Sequence, residues 1–98
     1  MPSIKYFSES DTLIIQGDLV AQTVMGVLSE VKLYNNLHQW VVNLSGVEKV
    51  DSSAIALLLE IIKIAQLNNI KLSFKHVPKE LLAIAKLSQL DSYFTSNN

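Results

Sequence analysis

Few residues in this 98-residue chain could do chemistry. The two histidines, His38 and His76, stand far apart, and neither has the spacing of a metal-ligand set. Cysteine is absent, which excludes a thiolate metal site, a cysteine nucleophile and disulfides. The glycines at 17, 26 and 46 form no phosphate-cradling loop. What remains is Asp51-Ser52-Ser53. Its hydroxyls have no histidine partner evident in the sequence, so a nucleophilic serine would lack its base. Placed before a long apolar run, these residues suit a helix start instead. Backbone N–H groups there lack intrahelical partners, and Asp and Ser side chains accept hydrogen bonds from them. The helix dipole adds about half a positive charge. It would tolerate a phosphate on Ser52 or Ser53. Capping alone accounts for all three residues, and a phosphate-controlled surface is compatible with the same chemistry. The expectation is a non-enzymatic chain with no cofactor and no metal.

Alternating strands and helices must position this segment. Ile4–Phe7 and Thr12–Gln16 read as two strands of a hairpin around a polar Ser8-Glu9-Ser10-Asp11 turn, with Gly17-Asp18 ending the second. Asp18 is placed to cap a helix on which Val20, Val24, Val27 or Leu28, and Val31 share one face, ended at Asn35-Asn36. Trp40–Leu44 is the best strand candidate. Ser45-Gly46 opens a loop, and Val47–Val50 either extends the strand or crosses its end. A helix runs from about Ser52 to Leu67, stopped by Asn68-Asn69. Ile70–Phe74 alternates like a strand with one face covered. Pro78 starts a last helix, with Leu81, Ile84, Ala85 and either Leu87 or Ser88 inward. Tyr93-Phe94-Thr95 reads as an edge strand.

The order β-β-α-β-α-β-α-β predicts an α/β domain spanning residues 1–98, a mixed sheet with helices mainly on one face. With Leu58 at the centre of the long helix's core side, Ala54, Ile61, Ile62 and Ala65 join it. Ser53, Ala56, Glu60, Lys63 and Leu67 then point outward, and Leu57 and Ile64 sit at the flank. That outer face has fewer charges than an ordinary surface helix. A neighbouring helix covers Leu57 and Ile64, or Ala56, Leu57, Glu60, Ile64 and with them Leu67 belong to a partner-binding surface with an apolar centre and polar rim, and the two readings are compatible in part.

Composition narrows the partners. Eight basic and nine acidic residues give a net charge of −1, with no basic run to suit nucleic acid. Trp40, Tyr6, Tyr34 and Phe74 lack the interleaved cations of a base-stacking platform and read as packing residues. The longest apolar stretch, Ala54 to Leu67, is broken by Glu60, Lys63 and Gln66 and is too short to span a bilayer. Without a recognisable signal segment, a cytoplasmic location is expected. A lipid- or small-ligand-binding domain would need an apolar pocket, which the sequence neither shows nor excludes.

The stretch from Val41 through Asn43-Leu44-Ser45-Gly46 to Val50-Asp51-Ser52-Ser53-Ala54 resembles the signature of STAS domains: an apolar strand, a D-L-S type turn, then V-D-S-S-G into a helix. Asn43 stands for the usual Asp and Ala54 for the usual Gly. The order of elements is similar over nearly the whole chain. Ala56-Leu57-Leu58-Leu59 with Ile62 and Ala65, and Leu82 to Leu90 with Ala85-Lys86-Leu87, resemble the MlaB branch. That resemblance implies a STAS subunit binding the cytoplasmic ATPase of an ABC transporter that moves phospholipids between the inner and outer membranes. Membrane association would then be peripheral, through the partner. The surface implied is Asp51, Ser52, Ser53, Ala56, Leu57, Glu60 and Ile64. The chain is also similar to anti-sigma-factor antagonists. In that branch a partner anti-sigma factor kinase phosphorylates the serine at the position of Ser52.

Overall fold

The computed structural model describes residues 3–7 and 10–87. Strand β1 (Ser3–Phe7) leads into β2 (Thr12–Leu19), helix α1 (Val24–Val31) and a 3-10 turn at Lys32–Tyr34. Strand β3 (Gln39–Val50), helix α2 (Ser52–Leu67), strand β4 (Lys71–Lys75) and helix α3 (Lys79–Leu87) follow. The sheet order is β1-β2-β3-β4, with β1–β2 antiparallel and β2–β3 and β3–β4 parallel. The mixed sheet predicted from the alternation is therefore present. The Tyr93–Thr95 strand, Ser88, and part of the Ser8–Asp11 turn lie outside the described residues.

Burial alternates along the strands as a sheet covered on one face requires. Leu13 and Ile15 of β2, Trp40, Val42 and Leu44 of β3 and Phe74 of β4 are buried. Lys5, Phe7, Lys71 and Lys75, at the opposite parity, are exposed. Val27, Leu28 and Val31 of α1, Ala54, Leu58, Ile61 and Ala65 of α2, and Leu81 and Ala85 of α3 close the core from the helical side. Trp40 and Phe74 are fully enclosed, so they pack rather than stack on a ligand. The Trp40 indole Nε1 donates to the Tyr34 carbonyl at 2.9 Å, satisfying the one polar atom it brings inside.

Several local expectations are corrected. β2 does not stop at Gly17-Asp18 but continues to Leu19; Gly17 has φ 95°, which its missing Cβ allows inside a strand. Ser45-Gly46 opens no loop, because β3 is one continuous 12-residue strand. Glycine at 46 serves close approach of β2 instead: a Cβ there would lie 2.8 Å from Gln16 Cγ. The β2–β3 register shifts twice, between Ile14 and Gln16 and between Gly17 and Leu19. Each shift sets one extra β3 residue against β2, as in a β-bulge. Leu87 is 87% exposed and is not an inner-face residue of α3. Ile62 is only partly buried, while Ile55 and Leu57 are buried.

Candidate functional site

The start of α2 is built by Asp51. It follows β3 in extended conformation, and its Oδ1 accepts from the Ser53 N–H at 2.8 Å. This is the cap its sequence position predicts. Its Oδ2 accepts from the Ala21 N–H at 3.2 Å, 30 residues away in the loop before α1. A reciprocal brace comes from Asp18, whose Oδ1 accepts from the Lys49 N–H at 3.2 Å. Asp18 therefore does not cap α1. Thr23 is the residue at that helix start, its hydroxyl accepting from the Val20 N–H at 3.0 Å and donating to the Asp18 carbonyl at 2.7 Å. The Asp51 carboxylate ties the β2–α1 loop to the β3–α2 junction, and the Asp18 carboxylate ties the end of β2 to the end of β3, beside the starts of α1 and α2. Asn43 Oδ1 accepts from the Ser45 N–H at 2.8 Å within the bulged stretch of β3.

An apolar cleft of about 180 Å³ opens between those two helix starts. Val24, Met25 and Leu28 of α1 line one side, and Ser53, Ala56, Leu57 and Glu60 of α2 the other. Four of the residues expected on a partner surface thus meet in one place. Leu57 is only 3% exposed and forms the floor, whereas Ala56 and Glu60 are exposed. Ser52 is exposed at the first position of α2, outside the cleft lining. Ile64, one turn beyond Glu60, is partly buried and is not part of the lining either. A helix does cover Leu57, as one of the two sequence readings held, yet the side chain still reaches the cleft. The α1 contribution was missed from sequence, because Val24 and Leu28 read as core and Met25 fell off the apolar stripe. Its signal was an apolar residue at 70% exposure, legible once the helix phase is known.

Among the described residues, nothing in this arrangement supplies an acid–base pair or a nucleophile with its base. His38 and His76 are exposed, before β3 and after β4. Among the described residues no group of three or more His, Asp or Glu could hold a metal ion. No helix among them is long and apolar enough to cross a membrane. The cleft is smaller than the roughly 300–1,000 Å³ of drug-sized pockets.

The family model described as "Mlab, STAS domain" matches residues 7–95. The chain belongs to the MlaB-type STAS family. No curated protein sequence matches it. Among solved structures, this STAS domain is similar to the anti-sigma factor antagonist SpoIIAA in its unphosphorylated form. The TM-score is 0.75 at 13% identity, over 97% of this chain and 86% of SpoIIAA. It is also similar to part of Mglu, with a TM-score of 0.62 at 20% identity over 81% of this chain. The matched region is 20% of Mglu. At such identities the likeness concerns the fold.

Proposed function

We propose that this STAS domain is a non-catalytic subunit that binds the cytoplasmic ATPase of an ABC transporter and supports phospholipid trafficking. It would be held at the inner membrane through that partner. The observation that carries the reading is the cleft. A chain of the MlaB-type family presents an apolar recess at the start of α2, lined by Ser53, Ala56, Leu57 and Glu60 and completed by Met25. A recess with an exposed alanine on its rim suits a buried anchor from another protein.

Calorimetric titration of the purified ATPase subunit into this chain tests the reading. Ala56→Arg, at an exposed position on the rim, is expected to abolish binding with unchanged circular dichroism. Ser52→Glu, which suits a helix start electrostatically, is expected to weaken binding without unfolding. Wild-type affinity in both variants would count against the cleft as the contact. Leu57→Asp is not a usable probe, because a carboxylate at a 3% exposed position destabilises the fold itself.

The second reading, an anti-sigma-factor antagonist, draws on the exposure of Ser52 beside Asp51. A phosphate there would place a dianion at the cleft's edge. Phosphoserine at 52 in protein taken from its native cells would favour it; consistent absence across growth conditions would oppose it.

A further inference from the structure

Exposed apolar side chains are not spread evenly over this domain. Of the five large ones among the described residues, Phe7, Leu33, Leu67 and Leu87 stand at one end and only Met25 at the other. The topology puts them there. Strands β2, β3 and β4 run parallel, so α1, α2 and α3 each return to the end where those strands begin. Leu33 lies in the 3-10 turn after α1, and Leu67 and Leu87 are the last residues of α2 and α3. Phe7 reaches the same end because antiparallel β1 pairs it with Thr12, at the start of β2. The Lys71 N–H donates to the His38 carbonyl at 2.9 Å, joining the segment after Leu67 to the one after Leu33. Single surface leucines need no explanation, but a set gathered at one end does.

Cations stand among these leucines. Lys32 and Lys86 directly precede Leu33 and Leu87, and Lys63 lies one turn before Leu67 on the same helix face. Lys71 opens β4 at this end, and all four lysines are exposed. Asp11 and Glu30 are the carboxylates here among the described residues, and Asp11 accepts from the Tyr6 hydroxyl. Leu33, Leu67 and Leu87 are 75%, 74% and 87% exposed, so each is a protrusion and none is the wall of a recess. A protein partner would need a separate pocket for each. A bilayer surface takes protruding leucines without pockets, and its phosphates pair with lysines whose alkyl stems lie along the apolar boundary. We propose that this end of the domain rests directly on an anionic phospholipid bilayer, with the three leucines entering the headgroup boundary and the four lysines meeting lipid phosphates. For the chain alone the contact is weak and reversible, because the leucines and the cations each supply only part of the binding. It lies at the opposite ends of α1 and α2 from the cleft and does not rest on ATPase binding.

Flotation of the intact chain with vesicles tests this, using phosphatidylcholine alone or mixed in equal parts with phosphatidylglycerol. Binding is expected on the mixed vesicles at low salt, falling at high salt, and weaker on phosphatidylcholine. Leu33→Gln, Leu67→Gln and Leu87→Gln combined are expected to weaken it at least about tenfold, with an unchanged melting temperature. Lys32→Gln with Lys86→Gln is expected to weaken it at least about fivefold, on the mixed vesicles only. No binding of the wild-type chain to mixed vesicles, or full binding by the leucine variant, overturns the proposal. So does a wild-type dimer that the leucine variant turns monomeric, or a loss of ATPase affinity in that variant, because the end is then a protein contact. Vesicle binding without ATPase binding supports this proposal and sinks the proposed function; ATPase binding without vesicle binding sinks this proposal alone.

Discussion

Removing the Asp51 carboxylate should destabilise the fold more than an ordinary helix cap would. Asp51→Ala deletes the acceptor for Ser53 N–H at 2.8 Å, a loss of about 1 kcal/mol for a typical N-cap. It also removes the acceptor of the Ala21 N–H at 3.2 Å, an exposed bond that water can replace, for about another 0.5 kcal/mol. The negative charge at the α2 N-terminus contributes roughly 0.3–1 kcal/mol. Together the loss is roughly 2–2.5 kcal/mol, or a melting temperature lower by roughly 8–20 °C for a domain of this size. Asp51→Asn keeps a good capping oxygen but surrenders the charge and the second acceptor, so about half the loss is expected. Urea unfolding followed by fluorescence of the buried Trp40 gives both values. Hydrogen exchange at the Ala21 amide should speed up in Asp51→Asn, because the brace to the β2–α1 loop is broken. Loss of less than about 0.5 kcal/mol in Asp51→Ala would refute the reasoning, since that is the scale of an indifferent surface change. So would Asn and Ala variants of equal stability.

Two further outcomes follow from the sheet. Gly46→Ala should destabilise by about 1–3 kcal/mol through overpacking against Gln16, whose Cγ and Cβ would lie 2.8 and 3.3 Å from the new methyl. Adding Gln16→Ala should recover part of that in the same unfolding assay, because it removes Cγ and leaves Cβ. Partial burial, then the hydrogen bond to Asp11 Oδ1 at 3.1 Å, raises the Tyr6 pKa above the ordinary 10.0. The unfolded chain then loses this proton first as pH rises. The tyrosine's contribution is therefore full below pH 10.0 and is lost as pH climbs through the higher folded value. Tyr6→Phe should remove that part of the alkaline decline, measured as stability against pH.

The sequence by itself determined the element order from β1 through α3, the bounds of α2 and the capping role of Asp51. Those follow from local physics: apolar period, stop residues at Asn68-Asn69, and a side chain whose hydrogen-bond partner lies two residues away. It also placed Ser53, Ala56, Leu57 and Glu60 on one surface, since helical phase is a matter of counting. Only the tertiary structure decided what stands opposite them. Asp18 looked like a cap because its neighbours in sequence suggest one; its actual partner is the Lys49 N–H, 31 residues on. Ser45-Gly46 looked like a turn because glycine permits one; pairing with β2 made it strand and used the glycine for clearance. Met25 entered the cleft because α1 packs against α2 in the common core, a long-range pairing that no local pattern encodes. The chemistry at Asp51-Ser52-Ser53 was thus legible as a helix start, and the fold set its last residue, Ser53, in the wall of a recess.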